Sequence, residues 1–114
     1  MLQHDMTGFK VASNPLKVLI ETDRKYENIV KVFQTCAEKY CDGLQTAVSY
    51  RPFGSDHVPY IRRGMPGFLT IDNDYARYPH YHRTTDLPQY VVKKMGHEIT
   101  KMNVAVLATL MEYE

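Results

Sequence analysis

Residues 17–40 constrain the fold most, because the hydrophobic period changes within them. The run KVLIETD (17–23) is short, apolar and β-branched and closes on an aspartate, which reads as a strand buried on both faces. Thr22 or Asp23 can then cap a helix, and Ile29, Val32, Phe33, Cys36, Ala37 and Tyr40 recur at helical spacing over 25–40. LQTAVSY (44–50) returns to a strand pattern, and MPGFLTID (65–72) gives a third strand. From Pro88 onward, Val91, Val92, Met95, Ile99, Met102, Val106 and Leu110 mark a long amphipathic helix, with Pro88 in its first turn and Gly96 as the place where it would break. This order predicts an α/β protein with a mostly parallel sheet flanked by helices. Such sheets gather their sites at the carboxyl ends of strands. The segments DMTGF, GSDH and IDNDYARYPHYH all fall in loops around strand ends.

A length of 114 residues suits one domain with one core. Net charge is +1 with both signs interspersed, so no basic stripe points to nucleic acid. The opening MLQHDMTGF lacks the basic start and unbroken apolar run of a signal peptide. The longest apolar stretch, NVAVLATLM, is too short to span a bilayer. Neither nucleic acid nor membrane is therefore expected as a partner. Cys36 and Cys41 are five apart and would point in different directions on a helix, so two reduced thiols are expected.

Chemistry concentrates in three ordered motifs: LQHDMTGF (2–9), GSDHVPYIRRGMPG (54–67) and YPHYHRTTD (78–86). Imidazole nitrogen and carboxylate oxygen are the donors zinc takes in hydrolytic sites. Together the motifs resemble the C-terminal part of metallopeptidase family 28, the co-catalytic di-zinc aminopeptidases of leucyl and bacterial type. That family's pattern is a Leu-Asp-Met-Thr-Gly strand end, then Ser-Asp-His, an aromatic, Gly-x-Pro and Tyr-His-Thr-x-x-Asp. The resemblance covers nearly the whole chain. It implies the C-terminal half of a zinc-exopeptidase (phosphorylase/hydrolase-like) fold, with two zinc ions side by side at the carboxyl edge of the sheet. It carries Asp5 over as a ligand of one ion and His82 as a ligand of the other.

The resemblance further implies an apolar pocket for the first side chain of the substrate, lined by Met6, Leu69, Ile71 and Tyr81 with Tyr75 or Tyr78 nearby. Such a wall selects Leu, Met or Phe, whose burial is worth roughly 1.5–3 kcal/mol. Ser55, Asp56 and His57 take structural or ligand-supporting places, and Asp86 braces the loop after His82 or caps the last helix. His80 is expected to face solvent, and His97 to be exposed on the long helix.

The chain also departs from the family. No Glu-Glu pair occurs, and Gln-His-Asp at 3–5 does not reproduce the family's His-x-Asp-Ser. Residues 1–114 thus offer one ligand for each metal but neither the bridging carboxylate nor the general base. The expected missing partner is the N-terminal half of the same domain, and this chain alone is expected to be inactive. Pro52 and Phe53 stand where secreted members place a tyrosine, and Tyr50 is the nearest phenol. The leading expectation is a zinc-dependent aminopeptidase acting on peptides with a free N-terminus. The alternatives are a catalytically dead binding relative, a glutaminyl-cyclase-like enzyme with one zinc, and a carboxypeptidase whose terminal carboxylate is met by Arg62, Arg63, Arg77 or Arg83.

Overall fold

The change of hydrophobic period at residues 17–40 is realised as a strand followed by a helix. The computed structural model describes residues 1–112. Its strands are β1 (Leu2–His4), β2 (Lys17–Glu21), β3 (Gln45–Ser49) and β4 (Phe68–Asp72). Its helices are α1 (Glu27–Tyr40), α2 (Val58–Arg62) and α3 (Lys93–Met111). Asp23 caps a single 3₁₀ turn (Arg24–Tyr26) ahead of α1, its side chain accepting the Lys25 N–H at 2.9 Å.

The sheet order is β1-β4-β2-β3. The pairs β1·β4 and β2·β3 are parallel, whereas the central β2·β4 pair is antiparallel. The mostly parallel expectation therefore holds for the outer pairs. It fails at the centre because β2 runs against its neighbour, which places the carboxyl ends of β2 and β4 at opposite edges of the sheet.

Strand alternation sorts the residues onto two faces. Val18, Ile20 and Phe68 pack under α1 and α3 against Val30, Phe33, Met95, Ile99, Met102 and Val106, all fully or almost fully buried. Each of these side chains contributes roughly 1.5–3 kcal/mol through burial. Thr70 on the same face accepts the Asn103 side-chain N–H at 2.8 Å, tying β4 to α3. The opposite face carries Leu69, Ile71, Glu21 and Gln3, and the segment leading into α2 covers Gln3 and Glu21. Lys17 and Leu19 are only half-buried there, so β2 is buried on one face and partly open on the other.

Two expectations about the last helix are corrected. Pro88 opens a separate 3₁₀ turn (Pro88–Tyr90), and α3 starts at Lys93. Gly96 causes no break. It faces the loop after β1, a Cβ there standing 3.6 Å from the Thr7 carbonyl oxygen. Cys36 and Cys41 are free thiols; α1 ends at Tyr40, and Cys41 beyond it donates to the Glu98 carbonyl. Among the described residues, no helix is long and apolar enough to cross a membrane.

Candidate active-site cleft

Strands β1 and β4 are parallel and in register, His4 beside Thr70, so their carboxyl ends open at the same edge. Asp5 is the first residue beyond β1, and its N–H donates to the Thr70 carbonyl at 3.3 Å. Its exposed carboxylate accepts a long hydrogen bond from Gln3 Nε2 at 3.5 Å. Met6 follows with φ of 47°, a left-handed conformation that costs a non-glycine residue about 1 kcal/mol or more. This turn is locked because the Met6 carbonyl accepts the Asp72 N–H at 2.9 Å.

A cleft of about 330 Å³ lies over the open face of the sheet at this edge. Leu69 and Ile71 line it, Asp5 and Met6 stand at the sheet edge, and Phe53, Gly54 and Ser55 form one wall. Tyr75, Ala76, Tyr78 and Tyr81 line the rest. Phe53 and Tyr75 pack ring to ring with centroids 5.5 Å apart. Asp5 thus shares one cleft with all four residues expected to form the apolar pocket, together with Ser55. Leu69 and Ile71 serve the core as well as the cleft, being almost fully buried.

His82 does not line this cleft. It is exposed, adopts φ of 54°, and stacks on the Tyr81 ring at 3.8 Å between centroids. Among the described residues, the two non-glycine residues with positive φ are His82 and Met6, the neighbour of Asp5. Asp86 accepts a hydrogen bond from the Tyr78 hydroxyl, and that contact pushes the phenol up to about 12. His80 is half-buried, contrary to the expectation of a solvent-facing ring: it stacks on Tyr90 at 4.2 Å and its Nδ1 pairs with the Thr85 hydroxyl. Its ring organises the loop that carries His82. His97 is exposed.

Beneath the cleft wall, His57 is fully buried and lies 3.2 Å from the Glu21 carboxylate. Burial pushes Glu21 up to about 7 and pushes His57 down. Asp56 is exposed. Tyr50 lies away from the cleft, under the Arg24 guanidinium at 4.5 Å, so Phe53 and not Tyr50 is the aromatic that this segment presents. On the other side of Met6, a smaller cleft of about 170 Å³ reaches Asp72, Tyr90 and Asp86. Burial pushes the Asp72 carboxyl up to about 7, and its Oδ2 accepts the Phe9 N–H.

The donor types of Asp5 and His82 suit zinc, but their number does not complete a site. Among the described residues, no group of three His, Cys, Asp or Glu side chains is placed to hold a metal ion. A catalytic zinc takes three protein ligands.

The family model described as Peptidase family M28 matches residues 1–107. The chain belongs to peptidase family M28. Its fold is similar to part of a solved structure: the crystal structure of the Legionella pneumophila LapA aminopeptidase superposes with a TM-score of 0.73 at 22% identity. That likeness covers 92% of this chain and 29% of the LapA chain. No curated protein matches the sequence.

Three buried polar residues of this family member escaped the sequence reading: Gln3, Glu21 and Asp72. Each sits on a strand beside the cleft. The available signal was a charged or amide side chain inside or closing an apolar run, as in KVLIE and FLTID.

Proposed function

We propose that this chain is the substrate-facing portion of a zinc-dependent aminopeptidase, contributing Asp5 and His82 as one ligand to each of two zinc ions. The observation that carries the reading is the cleft that joins the Asp5 carboxylate to an apolar floor of Leu69 and Ile71. A substrate held at the Asp5 end of this cleft buries its first side chain against Leu69 and Ile71. Bound zinc supplies an activated water and polarises the scissile carbonyl. The chain's own residues orient the peptide: Met6, Leu69, Ile71 and Tyr81 hold the first side chain and exclude water from it. The general base, the bridging carboxylate and the remaining ligands come from sequence beyond this chain, which spans 29% of the LapA length.

The test begins with the reading frame upstream of Met1, which should encode His-x-Asp-Ser and Glu-Glu. The longer protein should release Leu, Met and Phe from aminoacyl nitroanilides and lose that activity to a chelator. Asp5→Ala and His82→Ala should each lower kcat/KM by at least about 100-fold, more than the loss of an outer hydrogen-bond partner. A stop codon just upstream of Met1, or activity indifferent to chelation, overturns the reading. Cleavage of N-blocked peptides from the carboxyl end would replace it with a carboxypeptidase.

A further inference from the structure

Gln3, Leu69 and Glu21 form one row across β1, β4 and β2, so Gln3 and Glu21 flank the cleft floor on the same face. Both side chains grip the segment that makes the cleft wall. Glu21 Oε1 accepts the Phe53 N–H at 2.8 Å and lies 3.2 Å from His57 Nε2. Gln3 Oε1 accepts the His57 N–H at 3.1 Å, and its Nε2 donates to the Ser55 hydroxyl at 2.7 Å. We propose that Glu21 is a positioning residue that sets the side-chain selectivity of the cleft by holding Phe53 in its wall.

Glu21 is fully buried, and its second oxygen has no partner. A carboxyl group in that position is costly, and an apolar side chain closing KVLI would be buried there without that cost. What the carboxyl supplies is an acceptor for a main-chain N–H in an otherwise irregular stretch. The segment 50–57 has no strand or long helix to fix it. Its place is set by the row beneath it, and the Phe53 ring is thereby carried against Tyr75 across the wall. A shift of Phe53 changes the width over Leu69 and Ile71, and one methylene of mismatch in an apolar pocket is worth about 10–200-fold in specificity.

This proposal rests on the aminopeptidase reading, and its test separates the two. In the longer protein, Glu21→Leu should lower the ratio of kcat/KM for leucyl over alanyl nitroanilide by about 10-fold, mainly through KM. Glu21→Gln keeps an acceptor for Phe53 and should hold the ratio within about twofold. Phe53→Ala leaves the Glu21–His57 contact in place and should reproduce the leucyl deficit, and adding Glu21→Leu to it should deepen that deficit little. A uniform fall on both substrates, or an unchanged ratio in Glu21→Leu, overturns the proposal. If Glu21→Leu does not fold, the ratio in Phe53→Ala decides alone. Wild-type protein that cleaves no aminoacyl substrate sinks the aminopeptidase reading and the selectivity claim with it. Amide exchange at Phe53, protected in wild type and Glu21→Gln but not in Glu21→Leu, then shows whether the clamp itself exists.

Discussion

Gly67 illustrates how a single missing atom supports the site. A Cβ there would stand 2.5 Å from the His57 carbonyl oxygen and 3.0 Å from Ile61, both in the stretch that continues the cleft wall into α2. The Gly67 carbonyl also accepts the Thr22 hydroxyl at 2.6 Å, so the strand cannot retreat cheaply. Gly67→Ala should therefore cost about 1–3 kcal/mol, read as a lower urea midpoint at unchanged slope. Asp72 makes a different kind of prediction. Burial raises its folded-state pKa from 3.8 to about 7, so the folded state holds the proton more tightly than the unfolded chain. Its contribution is fully present below about pH 4 and is lost as pH rises through about 7. Asp72→Asn has no such dependence, and the melting temperature of the variant should gain on wild type between pH 4 and pH 8. Glu21 shifts in the same direction in both proteins and cancels in that difference. A constant gap across the range would show that Asp72 ionises in the fold as it does in water. Asp72 left a trace in the sequence as the charged residue closing FLTID, but its burial and the close approach at Gly67 arise from which segments become neighbours.

At the scale of elements, local pattern was enough for β2, β3, β4, α1 and most of α3, whereas the three-residue β1 carries no periodicity to read. The apolar run at 17–21 and the helical spacing at 27–40 each gave their element within a few residues. Pairing was not legible, because β2 and β4 carry the same kind of apolar run whichever way they point, and only their register shows them antiparallel. The motif loops were legible as loops near strand ends. The distance between them was not, and the structure brings Asp5 and Tyr81 to one cleft while leaving the exposed His82 outside its lining. Gly96 is the clearest case of element context overriding a local rule. A glycine inside a helix predicts weakness or a break, yet α3 runs unbroken through it. The 3.6 Å that a Cβ would keep from the Thr7 carbonyl is ordinary van der Waals contact. Gly96→Ala should accordingly stabilise the chain by up to about 1 kcal/mol, from helix propensity and reduced freedom of the unfolded state. A lower melting temperature would mean that the loop after β1 already sits as close to α3 as it can.

For the whole molecule, the surface decides how the chain behaves in isolation. Strand β1 has only three residues, and among the described residues its outer edge has no partner strand. Helix α3 shows a second open surface: Val104, Leu107 and Met111 recur at helical spacing and are 61%, 46% and 77% exposed. Tyr40 on α1 borders the same region, in a shallow depression with Val104 and Ala108. An unpaired strand edge and an exposed apolar helix face are both association surfaces. The chain matches 29% of the LapA structure, so a longer protein has ample sequence with which to cover both. Residues 1–114 alone should self-associate, and sedimentation velocity should show the average mass rising with concentration. Replacing Val104 and Leu107 with lysine should shift the distribution toward monomer without lowering the melting temperature, because neither side chain belongs to the buried core. If the double variant associates as strongly as wild type, the strand edge and not the helix is the adhesive surface. A single monomer species at every concentration would show that both surfaces are tolerated in water, and that the chain is a self-sufficient folding unit.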